Sequence, residues 1–213
     1  MIAEPPPRIP VRSRTTRRRW LRTAALAAGL TALAACTTGP GADGPADRAG
    51  AGAVTTVPAA ERRPAPALTG ESLHGERLDL AAYRGKVVVL NIWAAWCAPC
   101  RAEAPHFARV ARELKNQGVE FVGINTRNQD TGEPLAFERD YGIPYPSFHD
   151  PSGKLILAFP RGSLNPQAIP TTLVVDREGR TAARALTALG EDQLKDMIRP
   201  LLTERPAPAP RAG

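Results

Sequence analysis

Apolar residues occur along the whole chain, but only its middle arranges them with a period that folding can use. Val87, Val88, Val89 and Leu90 form an unbroken apolar run that resumes at Ile92 after Asn91. A run of that kind predicts a strand covered on both faces. Trp96-Cys97-Ala98-Pro99-Cys100 ends it, and beyond the cysteines Phe107, Val110, Ala111 and Leu114 share one helical face, so a helix is predicted up to Gly118. Residues 119–125 read as a second buried strand, parallel to the first because a helical crossover joins them.

The remaining pattern is shorter in range. Residues 67–69 and 76–79 predict short strands around a turn at Leu73-His74-Gly75, and 80–83 predict a helical turn ended by Gly85. A helix over 133–141 offers Leu135, Ala136 and Phe137 for packing and closes at Gly142. A strand over 146–149 leads through Asp150-Pro151-Ser152-Gly153 into a helical segment at 154–159. Residues 172–175 and 180–186 flank Asp176-Arg177-Glu178-Gly179, the signature of a β-hairpin. An amphipathic helix over 191–202, with Leu194, Ile198 and Leu201 on one side, closes the domain. The order βαβαβ then ββα predicts one α/β domain over 64–202, with a mixed central sheet flanked by helices.

Both ends lack this periodicity. Arg8, Arg12, Arg14, Arg17, Arg18, Arg19 and Arg22 precede an uncharged Ala/Leu-rich stretch at 23–35. Its 13 residues fall short of the about 20 that a membrane-crossing helix needs. Leu33-Ala34-Ala35-Cys36 follows and resembles a bacterial lipobox, so residues 1–36 are expected to direct export and Cys36 to receive lipid. An ordinary signal peptide with an incidental cysteine is the plainer alternative. Thr16-Arg17-Arg18-Arg19-Trp20-Leu21-Arg22 resembles a twin-arginine signal with Trp20 for the usual Phe, which leaves the Sec and Tat routes both open. Residues 37–63, rich in Gly, Ala, Pro and Thr, predict a disordered tether, and the prolines of 203–213 a disordered tail. The expected location is the outer face of the cytoplasmic membrane, held by a lipid anchor.

A net charge of +7 raises the question of nucleic acid, and its distribution answers it. Residues 1–63 hold 10 Lys/Arg against 4 Asp/Glu, whereas 64–202 hold 16 against 16. The folding part is neutral, so no nucleic acid is expected among the partners.

Candidate chemistry centres on the two cysteines. A Cys-x-x-Cys pair where a strand hands over to a helix N-terminus lets unpaired N–H groups and the helix dipole stabilise a thiolate on Cys97. Cys97 is then expected to be the exposed nucleophile, and Cys100, one turn deeper, to resolve the mixed disulfide. A zinc site would need four ligands, and the three histidines, His74, His106 and His149, are not spaced as a ligand pair. A c-type haem would need His after Cys100, where Arg101 stands. A peroxidatic cysteine of the peroxiredoxin type would follow Thr-x-x-Cys, and position 94 is Ala94. No metal and no cofactor beyond a redox-active Cys97–Cys100 disulfide is expected. Glu103, one helical turn past Cys100, is placed either for proton transfer to the resolving thiol or simply where Glu favours an early helical turn. Asn91 reads as a hydrogen-bonded core amide, Pro105 as a kink in the redox helix, and His106 as a solvated helix residue.

The stretch Val-Leu-Asn-Ile-Trp-Ala-Ala-Trp-Cys-Ala-Pro-Cys-Arg-Ala-Glu-Ala-Pro, with Ala-Ile-Pro-Thr-Thr-Leu-Val-Val-Asp downstream, resembles the TlpA/ResA branch of the thioredoxin superfamily over 64–202. The resemblance implies a thioredoxin-like fold and an exported, membrane-tethered thiol–disulfide oxidoreductase. It implies an active-site role for Glu103, and a cis peptide at Ile169-Pro170 facing the cysteines, although X–Pro bonds are trans by default. The backbone at Ile169 would then pair with an extended substrate segment, with Trp93 in the core and Trp96 on the contact surface. Thioredoxins carry a buried Asp where this chain has Asn91, so an Asp-based proton shuttle does not transfer. Implied partners are exported proteins with thiols or disulfides, among them apocytochrome c, with a membrane thiol shuttle of the CcdA type as electron donor. The expected function is that of a disulfide reductase acting on exported proteins; a disulfide oxidase or isomerase, and a non-catalytic binding lipoprotein, are the alternatives.

Overall fold

The computed structural model describes residues 54–204; the expected export signal with Cys36, the start of the tether and the end of the tail lie outside the described residues. Six strands build the main sheet: β1 (Val54–Thr56), β4 (Val87–Trp93), β5 (Val119–Thr126), β6 (Ser147–Asp150), β7 (Thr171–Val175) and β8 (Thr181–Ala185). A separate hairpin pairs β2 (Thr69–Glu71) with β3 (Arg77–Asp79). The helices are α1 (Ala98–Leu114), α2 (Gly132–Tyr141), the single turn α3 (Lys154–Leu157) and α4 (Glu191–Thr203). Strand order in the main sheet is β1-β8-β7-β4-β5-β6. β4, β5 and β6 run parallel, while β7 is antiparallel to β4, β8 to β7 and β1 to β8, so the sheet is mixed as expected.

β4 lies at the centre and is buried at every position. Because successive side chains of a strand point to opposite faces, its apolar run divides between two cores. Val87 and Val89 join Phe107 and Val110 of α1, Phe121 of β5, and Leu194 and Ile198 of α4. Val88, Leu90 and Ile92 join Leu68, Phe148, Ile156 and Leu173 on the other face. Asn91 falls on the α1 side by the same alternation, which sets up its contact with the redox helix. That helix runs through Pro105 without interruption to Leu114; Pro105 lacks only the N–H that would have bonded the carbonyl of Arg101.

One boundary differs from expectation. Residues 54–63, assigned to the tether, belong to the domain: β1 pairs with β8 through Val54–Ala185, Thr55–Arg184 and Thr56–Ala183. Val-Thr-Thr has no apolar alternation to display, and its pairing rests on backbone groups. The segment is then fastened by Arg62, which donates to the backbone oxygen of Val57 at 3.1 Å, to Asp176 at 3.2 Å and to Glu204 at 2.8 Å. Arg62→Ala is expected to lower stability by roughly 2 kcal/mol, less than a stranded buried charge would cost, because Asp176 keeps Arg180 at 2.9 Å. Urea unfolding reads this directly, and an unchanged midpoint would refute it.

Gly123 of β5 stands beside Asn91 in the register. A Cβ there would sit 2.8 Å from Trp93 Nε1 and would overlap the Ser147 hydroxyl outright. Gly123→Ala is therefore expected to cost about 1–3 kcal/mol by overpacking, and to displace Trp93 directly behind the active site. Near-ultraviolet circular dichroism and a denaturation curve together check both effects.

Candidate active site

Cys97 and Cys100 form a disulfide with an S–S distance of 2.05 Å. Cys97 caps α1, and its sulfur accepts the backbone N–H of Cys100 at 3.2 Å. The expected exposure of Cys97 is corrected here: it is 4 % exposed and Cys100 is 1 % exposed. Both pack in a cluster with Trp93, Ala94, Ala95 and Phe137, with Ile169 against it. Trp96, by contrast, is 52 % exposed, which suits the contact surface expected of it. Trp93 is buried as expected and stacks on Phe137 with ring centroids 4.3 Å apart.

Glu103 is only 2 % exposed. Its carboxyl oxygens accept the side-chain amide of Asn91 at 2.8 Å and the backbone N–H of Leu189 at 3.1 Å. Burial raises its pKa to about 8, against the smaller opposing pull of these two hydrogen bonds. At neutral pH the group is thus mostly a neutral acid, poised near the ordinary thiol range. Asn91 is the core amide that was expected; its Nδ2 donates to Glu103 at 2.8 Å and, at 3.5 Å, to the Thr172 hydroxyl.

The Ile169-Pro170 peptide is cis, as the resemblance implied. Pro170 is buried just before β7, and the N–H and C=O of Ile169 enter no hydrogen bond among the described residues. His106 lies half-buried on α1, with Nδ1 3.4 Å from the Arg109 guanidinium. Among the described residues no group of three or more His, Cys, Asp or Glu is placed to hold a metal ion.

Sequence reasoning missed the support of the loop before Cys97. Asn128 accepts the backbone N–H of Ala95 at 3.0 Å and the amide of Asn125 at 3.0 Å, and donates to Glu133 at 3.2 Å. His149 Nε2 contacts the Asn128 carbonyl at 3.2 Å. Trp96 Nε1 donates to the backbone oxygen of Arg127 at 3.4 Å, and the Arg127 guanidinium lies over the indole, 5.6 Å from its centroid. A usable signal existed: the polar run Asn125-Thr126-Arg127-Asn128 ends a strand parallel to β4, and open α/β sheets gather their sites at such carboxyl ends.

A strand ending in a disulfide that caps a helix, with the Ile169 of a cis Ile169-Pro170 peptide packed against the cysteine cluster, is the redox centre of a thioredoxin-like protein. The AhpC/TSA family model matches residues 62–184, and the chain belongs to that family. It is 30 % identical over 134 residues to the thiol-disulfide oxidoreductase ResA of Bacillus subtilis, covering 63 % of this chain and 72 % of that one. It is 35 % identical over 141 residues to the thiol:disulfide interchange protein HelX of Rhodobacter capsulatus, covering 65 % and 74 %. The crystal structure of a secreted thiol-disulfide isomerase from Corynebacterium glutamicum superposes with a TM-score of 0.67 at 32 % identity, over 71 % of this chain and 92 % of that one. The chain is accordingly a thiol–disulfide oxidoreductase of the thioredoxin superfamily. Among the described residues no helix is long and apolar enough to cross a membrane.

Proposed function

We propose that this oxidoreductase works outside the cytoplasmic membrane as a reductase of disulfides in exported proteins. The observation that carries the direction is the environment of the cysteine pair. Strong disulfide donors owe their oxidising power to a stabilised reduced form. Here Cys97 is buried, the Cys100 N–H is the sole hydrogen-bond donor to its sulfur among the described residues, and a buried carboxyl lies one turn past Cys100. Burial disfavours thiolate, so the reduced pair gains little and passes its electrons on.

The cycle balances as follows. The Cys97 thiolate attacks one sulfur of a substrate disulfide, forming a mixed disulfide and releasing the first substrate thiolate. Cys100, losing its proton to the Glu103 carboxylate fraction, attacks the Cys97 sulfur and releases the second substrate thiolate. The substrate gains two electrons and two protons, and the Cys97–Cys100 disulfide remains. A membrane thiol shuttle of the CcdA type would return two electrons. Trp96, Ile169 and cis Pro170 frame the substrate segment, with the free backbone of Ile169 as its pairing edge. Apocytochrome c, whose haem attachment needs free thiols, is a substrate of fitting chemistry. Lipid on Cys36 would keep the domain at the membrane, near that shuttle.

Insulin reduction with a dithiol donor tests this reading, with precipitation of the released chain as readout. Faster oxidation of a reduced, unfolded protein than reduction of insulin would contradict it. The corynebacterial relative's name favours a second reading, disulfide isomerisation, which would appear as recovery of a scrambled substrate without net reduction.

A further inference from the structure

A groove of about 430 Å³ opens between the loop that carries the cysteines and α2. Ala95 and Phe137 supply its buried lining, and Trp96, Ala136 and Tyr141 the part that solvent reaches. The groove adjoins the redox centre: Trp96 precedes Cys97 in the chain, and Ala95 and Phe137 pack in one cluster with both cysteines. An aromatic series leads into it, since Trp93 stacks on Phe137 and the Phe137 ring lies 4.7 Å from that of Tyr141. The Trp96 indole is held by its contacts with Arg127, whose side chain does not line the groove. Three charged residues, Arg101, Glu133 and Asp140, complete the lining. Both carboxylates already have partners: Glu133 accepts the Asn128 amide, and Asp140 pairs with Arg139 at 3.4 Å. Arg101 and Arg139 match the two carboxylates in number, so the rim exerts no net pull on a charge of either sign.

We propose that this groove is a specificity subsite that takes an aromatic side chain of the substrate polypeptide, close in sequence to the cysteine under attack. The ring would continue the series Trp93, Phe137, Tyr141 and pack against Trp96, removing apolar surface of both partners from water. A charged side chain gains nothing from the balanced rim, and burying it against Phe137 without a dedicated partner is costly. Folded proteins bury most of their large apolar side chains, whereas unfolded ones expose them. The groove thereby directs the enzyme to unfolded chains. The inference rests on the oxidoreductase reading and names what its substrates carry.

The test uses the reduced full-length protein and peptides whose single cysteine is held as a mixed disulfide with glutathione. Phe, Ala or Lys is placed in turn at each position flanking that cysteine, and release of glutathione is followed. At one position or more the Phe peptide is expected to exchange about tenfold faster than the Ala peptide, and the Lys peptide no faster than Ala. Ala136→Trp fills the groove from α2, and in it the Phe-to-Ala ratio falls to near one. Tyr141→Ala removes one wall and lowers the same ratio. A ratio taken within one protein cancels any change in Cys97 reactivity or in folded fraction. Equal rates for Phe and Ala at every position would overturn the subsite alone, as would a Lys peptide faster than Phe. So would a Phe preference that survives in both variants. No exchange with any peptide would overturn the redox reading and the subsite with it.

Discussion

Cys97→Ser is expected to abolish turnover, lowering disulfide exchange by more than about a thousandfold, while Cys100→Ser stops the cycle halfway. The two outcomes differ because the cysteines act in sequence. Cys97 sits at the start of α1 beside exposed Trp96, and its sulfur must form the first covalent bond with substrate. A serine there is never deprotonated at working pH and forms no disulfide. With Cys100 gone the first attack still proceeds, but nothing displaces the substrate from Cys97. Non-reducing electrophoresis should therefore show stable adducts for Cys100→Ser and none for Cys97→Ser. Adducts in both would place the nucleophile elsewhere.

Glu103→Gln is the second large effect, and it separates stability from chemistry. The carboxyl's pKa rises from 4.5 to about 8 on folding, chiefly through burial. Below 4.5 the folded and unfolded chains both carry this proton, and the group contributes no pH dependence. Between 4.5 and about 8 the unfolded chain has released it while the folded one retains it. Stability therefore falls as pH rises through that window, by about 1.4 kcal/mol per pH unit from this group alone, and levels off above it. Gln abolishes that slope. It also loses one acceptor, because Gln keeps a single acceptor oxygen and its NH2 can accept from neither Asn91 nor Leu189, costing about 1 kcal/mol at low pH. The variant should thus be less stable than wild type near pH 4 and more stable near pH 9. Glu138, also buried and raised, adds a slope of the same sign to both proteins and cancels in the comparison. Resolution of the mixed disulfide should slow about a hundredfold in the variant, as loss of a general acid–base predicts. Parallel stability curves across this range would refute the protonated carboxyl.

The readable parts of the fold were those with local periodicity. Four consecutive apolar residues before Asn91 announced β4, and the helical face from Phe107 to Leu114 announced α1. Burial of Glu103 follows the same face, since Cys100, Glu103 and Phe107 are spaced for one side of the helix. What stayed hidden depends on residues distant in sequence. β1 is three residues long, and Arg62 secures it through ion pairs 114 and 142 positions away. Asn128 holds Ala95 across 33 positions. The burial of Cys97 escaped notice for the same reason. A helix N-terminus taken alone looks exposed, whereas Ala94, Phe137 and Ile169 cover this one. The hairpin β2–β3 lies near its expected place, with β2 displaced because Leu68 is buried in the core ahead of the strand.

The most direct test of the reductase assignment is the reduction potential of the Cys97–Cys100 pair in the protein equilibrated against dithiothreitol or glutathione. A value near the about −270 mV of thioredoxin, or lower, is expected. A value near the about −120 mV of DsbA would contradict it and make the protein a disulfide donor.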